Sequence, residues 1–548
     1  MQLKGAQILI ETLVSLGVDT VFGYPGGAVL DIYDELYKSS DRINHVITAH
    51  EQGAAHAADG YARVKGKPGV VIATSGPGAT NLVTGIANAY LDSIPLVAIT
   101  GNVAVALLGR DSFQEVDIVG ITQPIVKHSY IVRDVNVLEE TIREAFQIAA
   151  AGRPGPVLID IPKSVQAQEA EYKGEAKREE KVVKPLPDLT QALELIAGSK
   201  KPYLYFGGGV IAANAEAEAV ALAERLSAPM GLSVMGLSAI PHKHPLNLGM
   251  CGMHGQYAAS VAQSKADLVI AAGVRFSDRA TGNVDKYTRN CTVIHIDIDR
   301  AEIGKNVRPN LSLNGDVKAI LTALLEQLPQ KQNPAWLEEI EALKAHVPST
   351  PLELFAPHNI IRAVHSHVPE DTVIATDVGQ HQMWVAQAYP FEKSRTLLTS
   401  GGLGTMGYGL GAAIGGCMGS GRKPTVHFTS DGSFGMNLNE LATAVTQGLP
   451  LLSVILNNGV LGMVRQWQGI FYGERYSQTT LNRQTDFVKL AQAFGAKGAR
   501  AHNLEELHAA LEQWDKASPL VLECLIDMDE KVLPMIPPGG AIEDIRIN

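Results

Sequence analysis

Residues 425–464 contain two strongly apolar segments, and each one ends in a turn that carries a polar side chain. The segment 425–429 leads into Asp431, and the segment 451–456 leads into Asn458. A helix-like stretch lies between the two segments. Strand, helix and strand in this order form a parallel pair, so both turns are expected at the same edge of one sheet. Open parallel sheets bind their ligands at that edge.

The two turns offer oxygen atoms of the kind that hold Mg²⁺. Asp431 supplies a carboxylate and Asn458 an amide oxygen, and Mg²⁺ completes its coordination shell with phosphate and water. The Gly432 amide and Ser433, at a predicted helix start, can receive that phosphate. The alternative is that Asp, Gly and Asn occur here only because turns favour them.

The same alternation of strand, glycine-rich turn and helix recurs along the chain. It predicts α/β architecture with three doubly wound parallel-sheet domains, which also suits a length of 548 residues. We predict an N-terminal domain over 1–170, a central domain over 188–328 and a C-terminal domain over 358–548. The N-terminal and C-terminal domains look like two copies of one architecture.

Two segments between these domains are predicted to be linkers. Residues 169–187 are rich in charges, and residues 329–357 contain five prolines. Both compositions favour an irregular surface path over a packed element.

Composition limits the partners of the protein. A net charge of -11 argues against nucleic acid and anionic membranes. Four scattered cysteines without CxxC spacing indicate a reducing compartment and no structural zinc. The sequence has neither a signal pattern nor an apolar run of membrane-spanning length. We therefore predict a cytoplasmic protein that does not bind a membrane.

Glu51 follows a short predicted strand and opens an alanine-rich helix. The helix dipole alone favours glutamate at such a position. A chemical role is the alternative, because a carboxyl in an apolar setting has a raised pKa and can share a proton with a ring nitrogen.

Short motifs between residues 22 and 539 occur together in one family. They include Phe22-Gly23-Tyr24-Pro25-Gly26-Gly27-Ala28, His50-Glu51-Gln52-Gly53, Gly401-Gly402-Leu403-Gly404-Thr405-Met406-Gly407 and Gly462-Met463-Val464-Arg465-Gln466-Trp467-Gln468. The spacing from Asp431 to Asn458 also matches the thiamine diphosphate motif. Over essentially its whole length, the chain resembles the catalytic subunit of acetohydroxyacid synthase, also called acetolactate synthase, of the biosynthetic type.

The resemblance implies a set of residues for thiamine diphosphate and Mg²⁺. Glu51 would be the catalytic carboxyl, which hydrogen-bonds the aminopyrimidine ring, and Mg²⁺ would be held by Asp431, Asn458 and the Val460 carbonyl. Residues of the cofactor site and its pocket would be Gly27, Pro77, Asn81, Gln114, Val378, Gly379, Gln380, His381, Gly404, Met406, Gly432, Ser433 and Met463. Substrate would contact Phe113, Arg279 and Trp467.

The resemblance also implies FAD in the central domain, as a structural group without net redox chemistry. A close-packed glycine turn is the alternative explanation for residues 207–209. The implied FAD residues are Arg153, Gly207, Gly208, Gly209, Met253, His254, Gly255, Gly273, Arg275, Arg279, Asp297 and Asp316.

The implied reaction condenses pyruvate with a second pyruvate or with 2-oxobutyrate and releases CO₂. The products, 2-acetolactate and 2-aceto-2-hydroxybutyrate, lead to branched-chain amino acids. Glu51 and the metal site would meet across a subunit boundary in a homodimer or homotetramer, and a small regulatory subunit is a further partner that the sequence does not decide.

Two rival interpretations remain open at this level. One is another thiamine diphosphate enzyme, such as a pyruvate oxidase or a glyoxylate carboligase. The other is a non-catalytic paralogue, suggested by departures from the family pattern at Ser430, Ser277, Gly411 and Asn102.

Overall fold

Three six-stranded parallel sheets form the framework of the protein, so the predicted fold class is confirmed. The computed structural model describes residues 1–174, 185–289, 291–347 and 350–547. No helix in these ranges is long and apolar enough to cross a membrane. The domain boundaries chosen from the sequence stay a prediction.

The N-terminal sheet has the strand order 2-1-3-4-6-5, numbered along the chain. Its central strands are almost fully buried apolar runs, as expected for strands covered on both faces. In spatial order the strands are Asn44–Ile47, Thr20–Tyr24, Gly69–Ala73, Leu96–Asn102, Pro156–Pro162 and His128–Ile131. The main helices are Gly5–Ser15, Leu30–Lys38, Glu51–Lys65, Val83–Asp92 and Leu138–Ala150, with short helices at Pro77–Thr80, Ile118–Thr122 and Lys163–Ala167.

The C-terminal sheet repeats the order 2-1-3-4-6-5, so the predicted likeness of the two domains is confirmed at the level of topology. Its strands in spatial order are Leu397–Leu398, Val373–Thr376, Thr425–Thr429, Leu451–Asn457, Leu520–Leu525 and Lys497–Ala501. Its helices are Pro357–Ser366, Gln380–Ala388, Tyr408–Gly419, Asp431–Asn437, Leu441–Thr446, Gly462–Phe471, Phe487–Ala493 and Leu504–Gln513.

The central sheet has a different order, 3-2-1-4-5-6. Its strands in spatial order are Asn247–Met250, Met230–Leu232, Pro202–Phe206, Leu268–Ala272, Thr292–Asp297 and Leu311–Asn314. The helices around it are Thr190–Gly198, Gly208–Ala212, Glu216–Leu226, Tyr257–Lys265, Asp278–Thr281, Val284–Tyr287, Val317–Gln327 and Pro334–Lys344.

The two predicted linkers are partly wrong. Glu169–Glu171 is a strand that pairs antiparallel with Gln2–Lys4, while residues 175–184 lie outside the described residues. The second segment contains the helix Pro334–Lys344, whose Trp336 is buried and donates to the carbonyl of Pro202 at 3.0 Å. Residues 348 and 349 lie outside the described residues. The prolines were misleading because Pro334 occupies the first turn of the helix, where no amide donor is needed.

The helices Glu51–Lys65 and Tyr408–Gly419 pack against each other and join the N-terminal and C-terminal domains. Their contact needs small residues. A side chain at Gly60 would overlap the backbone of Ala412, and one at Gly415 would overlap the backbone of Ala57. This close approach sets the spacing of the two helices, and Glu51 is the first residue of one of them.

Candidate active site

In all three sheets the strand order reverses at one point. The turns that follow the strands on either side of that point contain glycine or acidic residues. In the C-terminal sheet the switch lies between strands Val373–Thr376 and Thr425–Thr429. The turns that follow these strands contain Gly379 and Asp431. Helices leave such a switch point in opposite directions, which opens a crevice at the carboxyl ends of the strands.

Asp431 is a buried carboxylate with an unused acceptor. Its Oδ1 atom has no hydrogen-bond partner, and burial raises the pKa of the group to about 6, although the Gly432 amide opposes the rise. Ser430 caps the helix Asp431–Asn437 by accepting from the Ser433 amide at 3.4 Å. An unpaired buried carboxylate of this kind is suited to a cation.

Asn458 lies at the end of the adjacent strand, with its amide group held in one orientation. Its Nδ2 donates to Gln380 Oε1 at 3.1 Å, and Gln380 in turn donates to Gln466 and to the carbonyl of Glu530. The Asn458 Oδ1 accepts from the Val460 amide at 3.3 Å. Among the described residues, no group of three or more His, Cys, Asp and Glu side chains could hold a metal. Any metal here therefore depends on one carboxylate together with amide and carbonyl oxygens.

The start of the helix Gln380–Ala388 faces the same crevice. Gly379 has φ +152°, and a Cβ on it would lie 2.8 Å from the His381 ring. The Nε2 atom of His381 is buried without a partner, and burial lowers the pKa of the ring to about 4. His381 is therefore neutral near pH 7 and offers a hydrogen bond without charge. Ser433 Oγ donates to the carbonyl of Val378 at 3.1 Å.

One cavity is lined by many of the residues that were predicted to bind thiamine diphosphate and Mg²⁺. Its lining includes the predicted residues Val378, Gly379, Gln380, His381, Met406, Asn458, Val460 and Met463. The lining also includes residues that were not predicted, namely Trp384, Ser430, Leu456, Leu461, Gly462 and Val464. Gly432 and Gly404 are adjacent: a Cβ on Gly432 would lie 3.9 Å from Met406 Cε, and one on Gly404 would lie 4.0 Å from Val378 Cγ1.

Glu51 belongs to a separate group at the switch point of the N-terminal sheet. Asn81 Nδ2 donates to Glu51 Oε2 at 2.9 Å, and Pro77 begins the short helix that carries Asn81 towards it. Gln114, with φ +57°, packs against Gly76, while Phe113 is 88% exposed. Gly27 lies in the turn after strand Thr20–Tyr24. None of these residues lines the cavity described above.

A second, larger cavity of about 650 Å³ lies between the central and C-terminal domains. The guanidinium of Arg279 stacks over the Trp467 ring at 5.3 Å, and Trp467 meets Phe471 edge to face at 5.9 Å. Met463 lines both cavities. The volume is typical of small-molecule sites.

The predicted central-domain residues divide into two groups. Gly207 and Gly209 pack against the backbone of Gly273, where any Cβ would collide, so close packing explains these three glycines. Gly208 is less crowded, since a Cβ on it would lie 3.2 Å from Met235 Cβ. Both ring nitrogens of His254 are buried without a partner, between Met253 and Gly255. Arg279 Nη1 lies 3.7 Å from Met253 Sδ.

Three charged members of that set, Arg153, Asp297 and Asp316, have partners within the protein. Arg153 donates to Glu302 at 2.6 Å and to Ser93 at 2.7 Å. Burial raises the pKa of Asp297 to about 6, and Asp316 caps the helix Val317–Gln327. Arg275 precedes Phe276, which has φ +48°.

Comparison with known proteins accounts for all three sheets. Residues 3–121 match the N-terminal TPP binding domain of thiamine pyrophosphate enzymes, residues 189–324 match the central domain, and residues 377–524 match the C-terminal TPP binding domain.

Relatives that match over nearly their whole length identify the family within the thiamine pyrophosphate enzymes. The chain is 44% identical to the acetolactate synthase large subunit of Corynebacterium glutamicum, over 100% of this chain and 90% of that protein. It is also 44% identical to the acetolactate synthase isozyme 2 large subunit of Escherichia coli, over 98% of each. The chain belongs to the acetolactate synthase family. It is a thiamine diphosphate-dependent enzyme of the acetolactate synthase type.

In this member of the acetolactate synthase family, the larger cavity is lined by some residues that the sequence did not predict. Tyr472, Arg475 and Ser477 line the larger cavity from an irregular segment with no periodic pattern, so nothing in the sequence predicted them.

Ser430, a departure from the family motif, has a local reason here because it caps a helix. Gly411, another departure, lies against Gly53 of the partner helix, where a Cβ would come within 2.9 Å of the carbonyl oxygen.

Proposed function

We propose that this protein is an acetolactate synthase that condenses two molecules of pyruvate, or pyruvate and 2-oxobutyrate, with loss of CO₂. The observation that carries the proposal is the C-terminal switch point, where Asn458 and His381 line a cavity and Asp431, next to the lining residue Ser430, has a buried carboxylate oxygen without a hydrogen-bond partner. The full-length identity to acetolactate synthases supports the same assignment. A pyruvate oxidase, a glyoxylate carboligase or a non-catalytic paralogue is not favoured by that identity.

The residues at the C-terminal switch point, in and beside this cavity, fit a diphosphate bound through Mg²⁺. Asp431 Oδ1, the Asn458 amide oxygen and the Val460 carbonyl are the hard ligands that Mg²⁺ prefers. The amides at the start of helix Gln380–Ala388 and the His381 ring suit phosphate oxygens. Ser433 and Gly432 complete this side of the site.

When bound, thiamine diphosphate supplies the carbanion chemistry that removes CO₂ from a 2-oxoacid. Glu51 holds a proton against the aminopyrimidine nitrogen, with Asn81 fixing its carboxylate. Met406 and the Gly404 carbonyl, in loop 400–407, would hold the bound cofactor from the C-terminal domain. Gly27, Pro77 and Gln114 border the pyrimidine side.

Substrate selection belongs to the larger cavity. The Arg279 guanidinium binds the carboxylate of the incoming 2-oxoacid, because its planar fork matches carboxylate geometry. The Trp467 face packs on the alkyl group of that acid. Phe113, which is exposed in the single chain, contacts substrate from the N-terminal domain of a second subunit.

FAD is proposed as a structural group of the central domain. The 3-2-1-4-5-6 strand order is that of dinucleotide-binding sheets, which is an analogy at the level of the fold. The unpartnered nitrogens of His254 fit a polar ligand at this position. Arg153 already donates to Glu302 and Ser93, so these two residues compete with the flavin for its guanidinium.

We further propose that the protein works as a homodimer or homotetramer, with Glu51 and the metal site contributed by different subunits. The relatives' designation as large subunits supports a small regulatory subunit as an additional partner. A cytoplasmic location stays a prediction.

Product analysis tests the proposed activity. Purified protein with thiamine diphosphate, Mg²⁺ and FAD is given pyruvate alone, and then pyruvate with 2-oxobutyrate. We expect 2-acetolactate in the first case and an added 2-aceto-2-hydroxybutyrate in the second. Hydrogen peroxide or acetyl phosphate would instead indicate a pyruvate oxidase, and no turnover of any 2-oxoacid would indicate a non-catalytic paralogue.

A further inference from the structure

The loop 400–407 carries Gly404 and Met406, and its backbone is held from another domain. The Asp92 carboxylate, in the N-terminal domain, accepts from the amides of Gly401 at 3.0 Å and Gly402 at 2.7 Å. Residues 401–404 are exposed in the chain, although Gly401 also lies close to Met235 and Gly402 close to Leu91. Nearby, Ser400 Oγ accepts from the Thr405 amide at 2.9 Å and donates to Asn88.

Asp92 is itself held in place by a buried charge network. Arg63 donates to Asp92 at 2.9 Å and to Asp59 at 2.6 Å, and all three side chains are at most 5% exposed. Tyr408 donates to Asp59 at 2.6 Å from the first residue of the helix that follows the loop. Because Arg63 lies near the end of the helix that begins at Glu51, one rigid helix connects Glu51 to this network.

A second carboxylate, that of Glu440, makes a similar contact from the C-terminal domain to the N-terminal domain. Glu440, in the C-terminal domain, is fully buried and accepts from the amides of Ala49 at 3.1 Å and His50 at 3.0 Å. These are the two residues that precede Glu51. Burial raises the pKa of Glu440, while Thr443 and the two amides oppose the rise. Gly53 leaves the necessary space, because a side chain there would overlap the Glu440 carboxylate.

The two contacts follow the likeness of the domains. In each case a buried acid of one domain holds two consecutive amides of the other domain, in the segment that enters the central packed helix. Those helices are Glu51–Lys65 and Tyr408–Gly419, which lie against each other. A carboxylate that accepts two backbone amides has a fixed direction as well as a strong interaction.

We propose that Asp92 and Glu440 are reciprocal positioning residues, with Asp92 setting the loop that carries Gly404 and Met406 and Glu440 setting the backbone that presents Glu51. The proposal rests on the proposed function for the roles of Gly404, Met406 and Glu51. The anchoring itself does not depend on it. Neither Asp92 nor Glu440 touches the reacting atoms in this scheme.

The test uses D92N and E440Q, with D160N as the matched control. Asp160 is also a buried acid of the N-terminal domain, but its partners are the side chains of Thr100 and Asn102 in its own sheet. Amide hydrogen–deuterium exchange is followed by mass spectrometry on the full-length protein, first without cofactor and then with thiamine diphosphate and Mg²⁺.

We expect D92N to accelerate exchange in residues 400–407 by about tenfold or more, since a charged hydrogen bond of this kind is lost. Exchange at residues 47–52 should stay unchanged. E440Q should show the opposite pattern, and D160N should change neither segment. With cofactor present, kcat should fall by roughly 10- to 100-fold in the first two variants, with little change in KM for pyruvate.

Exchange that is unchanged in the matching segment would overturn the proposal, and so would an equal rise over every segment, which indicates general loosening. If D92N or E440Q does not fold, S400A removes the neighbouring contact of loop 400–407 with the Thr405 amide, and G53A displaces the Glu440 carboxylate from the segment before Glu51. Measurements without cofactor keep the two questions apart: wild-type protein that makes no acetolactate would defeat the proposed function, whereas the exchange pattern alone decides the anchoring.

Discussion

Asp431 and His381 are buried in the same crevice, and burial moves both side chains towards their neutral forms. The pKa of Asp431 rises to about 6, and that of His381 falls to about 4. A neutral His381 ring still carries one N–H, which can donate to the proposed phosphate. For Asp431 the neutral form opposes metal binding, so a bound cation must recover the carboxylate. The proposed Mg²⁺ would favour the charged form of Asp431, and the proposed diphosphate would bring the anionic ligand that the metal shares.

Glu51 can be tested separately from cofactor binding. In Glu51→Gln the side chain no longer shares a proton with the pyrimidine nitrogen, although Asn81 still has an oxygen to which it can donate. We expect exchange of the C2 proton of bound thiamine diphosphate to slow by about 10²- to 10⁴-fold. Proton NMR after rapid quenching measures this rate. Glu11→Gln, a surface carboxylate paired with Arg42, is the control. A rate equal to that of the wild type would remove Glu51 from this role.

Trp467 gives a prediction about substrate choice. Its ring lies between the Arg279 guanidinium and Phe471 on the wall of the larger cavity. One extra methylene in an apolar pocket changes the binding free energy by about 1–3 kcal/mol. Trp467→Leu should therefore lower the preference for 2-oxobutyrate over pyruvate by about tenfold.

The measurement for Trp467→Leu is the ratio of the two products in a mixed-substrate assay. Acetolactate formation from pyruvate alone should continue, which distinguishes lost selection from lost folding. An unchanged ratio in an active variant would mean that the indole does not contact the second acid.

The helices Glu51–Lys65 and Tyr408–Gly419 can pack closely because each has small residues where the two meet. Gly60 and Gly415 each lie where a Cβ would enter the backbone of the facing helix. Both helices also begin next to site residues, Glu51 in one case and loop 400–407 in the other. Their spacing therefore sets the relation between the N-terminal and C-terminal halves of the chain.

Gly415→Ala tests this spacing. Alanine favours helices, but here its methyl group collides with the carbonyl of Ala57, and overpacking of this kind costs about 1–3 kcal/mol. We expect a lower unfolding temperature by differential scanning fluorimetry. Gly198→Ala is the matched control, because Gly198 ends the helix Thr190–Gly198 and a Cβ there meets nothing within 4 Å. Equal unfolding temperatures for the two variants would contradict the packing argument.

Elements buried on both faces were the ones that the sequence predicted well. The strand Thr425–Thr429 is a continuous apolar run between clear turns, so both it and Asp431 at its end were found. The edge strands Lys497–Ala501 and His128–Ile131 were missed because they are partly exposed and polar. The contact of Glu440 with His50 joins residues 390 positions apart, and no local pattern encodes it.

Across the whole molecule, the metal site and the flavin site are predicted to lie in different domains. Asp431→Ala removes the one carboxylate of the metal site. We expect it to abolish Mg²⁺-dependent binding of thiamine diphosphate, measured by calorimetry, while flavin absorbance of the purified protein persists. Asp371→Ala, a surface acid paired with Lys423, is the control. Loss of flavin from folded Asp431→Ala protein would contradict this separation.

In the single chain, the proposed site residues lie in two separate groups. Glu51 and its partner Asn81 do not line the cavity beside Asp431. Apolar side chains near that cavity are exposed, with Leu403 at 39% and Met436 at 57%, and Met436 lies against Gly407. Exposed apolar groups beside an incomplete site indicate a surface that another protein covers. The proposed dimer supplies that surface, with Glu51 of one subunit completing the metal site of the other.

Subunit mixing tests this arrangement. Glu51→Gln and Asp431→Ala chains are each expected to be inactive, but a mixed dimer has one site in which both residues are intact. Co-expression with two different affinity tags, followed by purification through both, should therefore restore acetolactate formation. The control is a chain with both substitutions, paired with a wild-type chain. If sites are shared between subunits, each site of that dimer carries one defect and activity is lost. A site built within one chain predicts the reverse result in both experiments, because the Glu51→Gln and Asp431→Ala pair would stay inactive and the wild-type chain of the control would keep its own site.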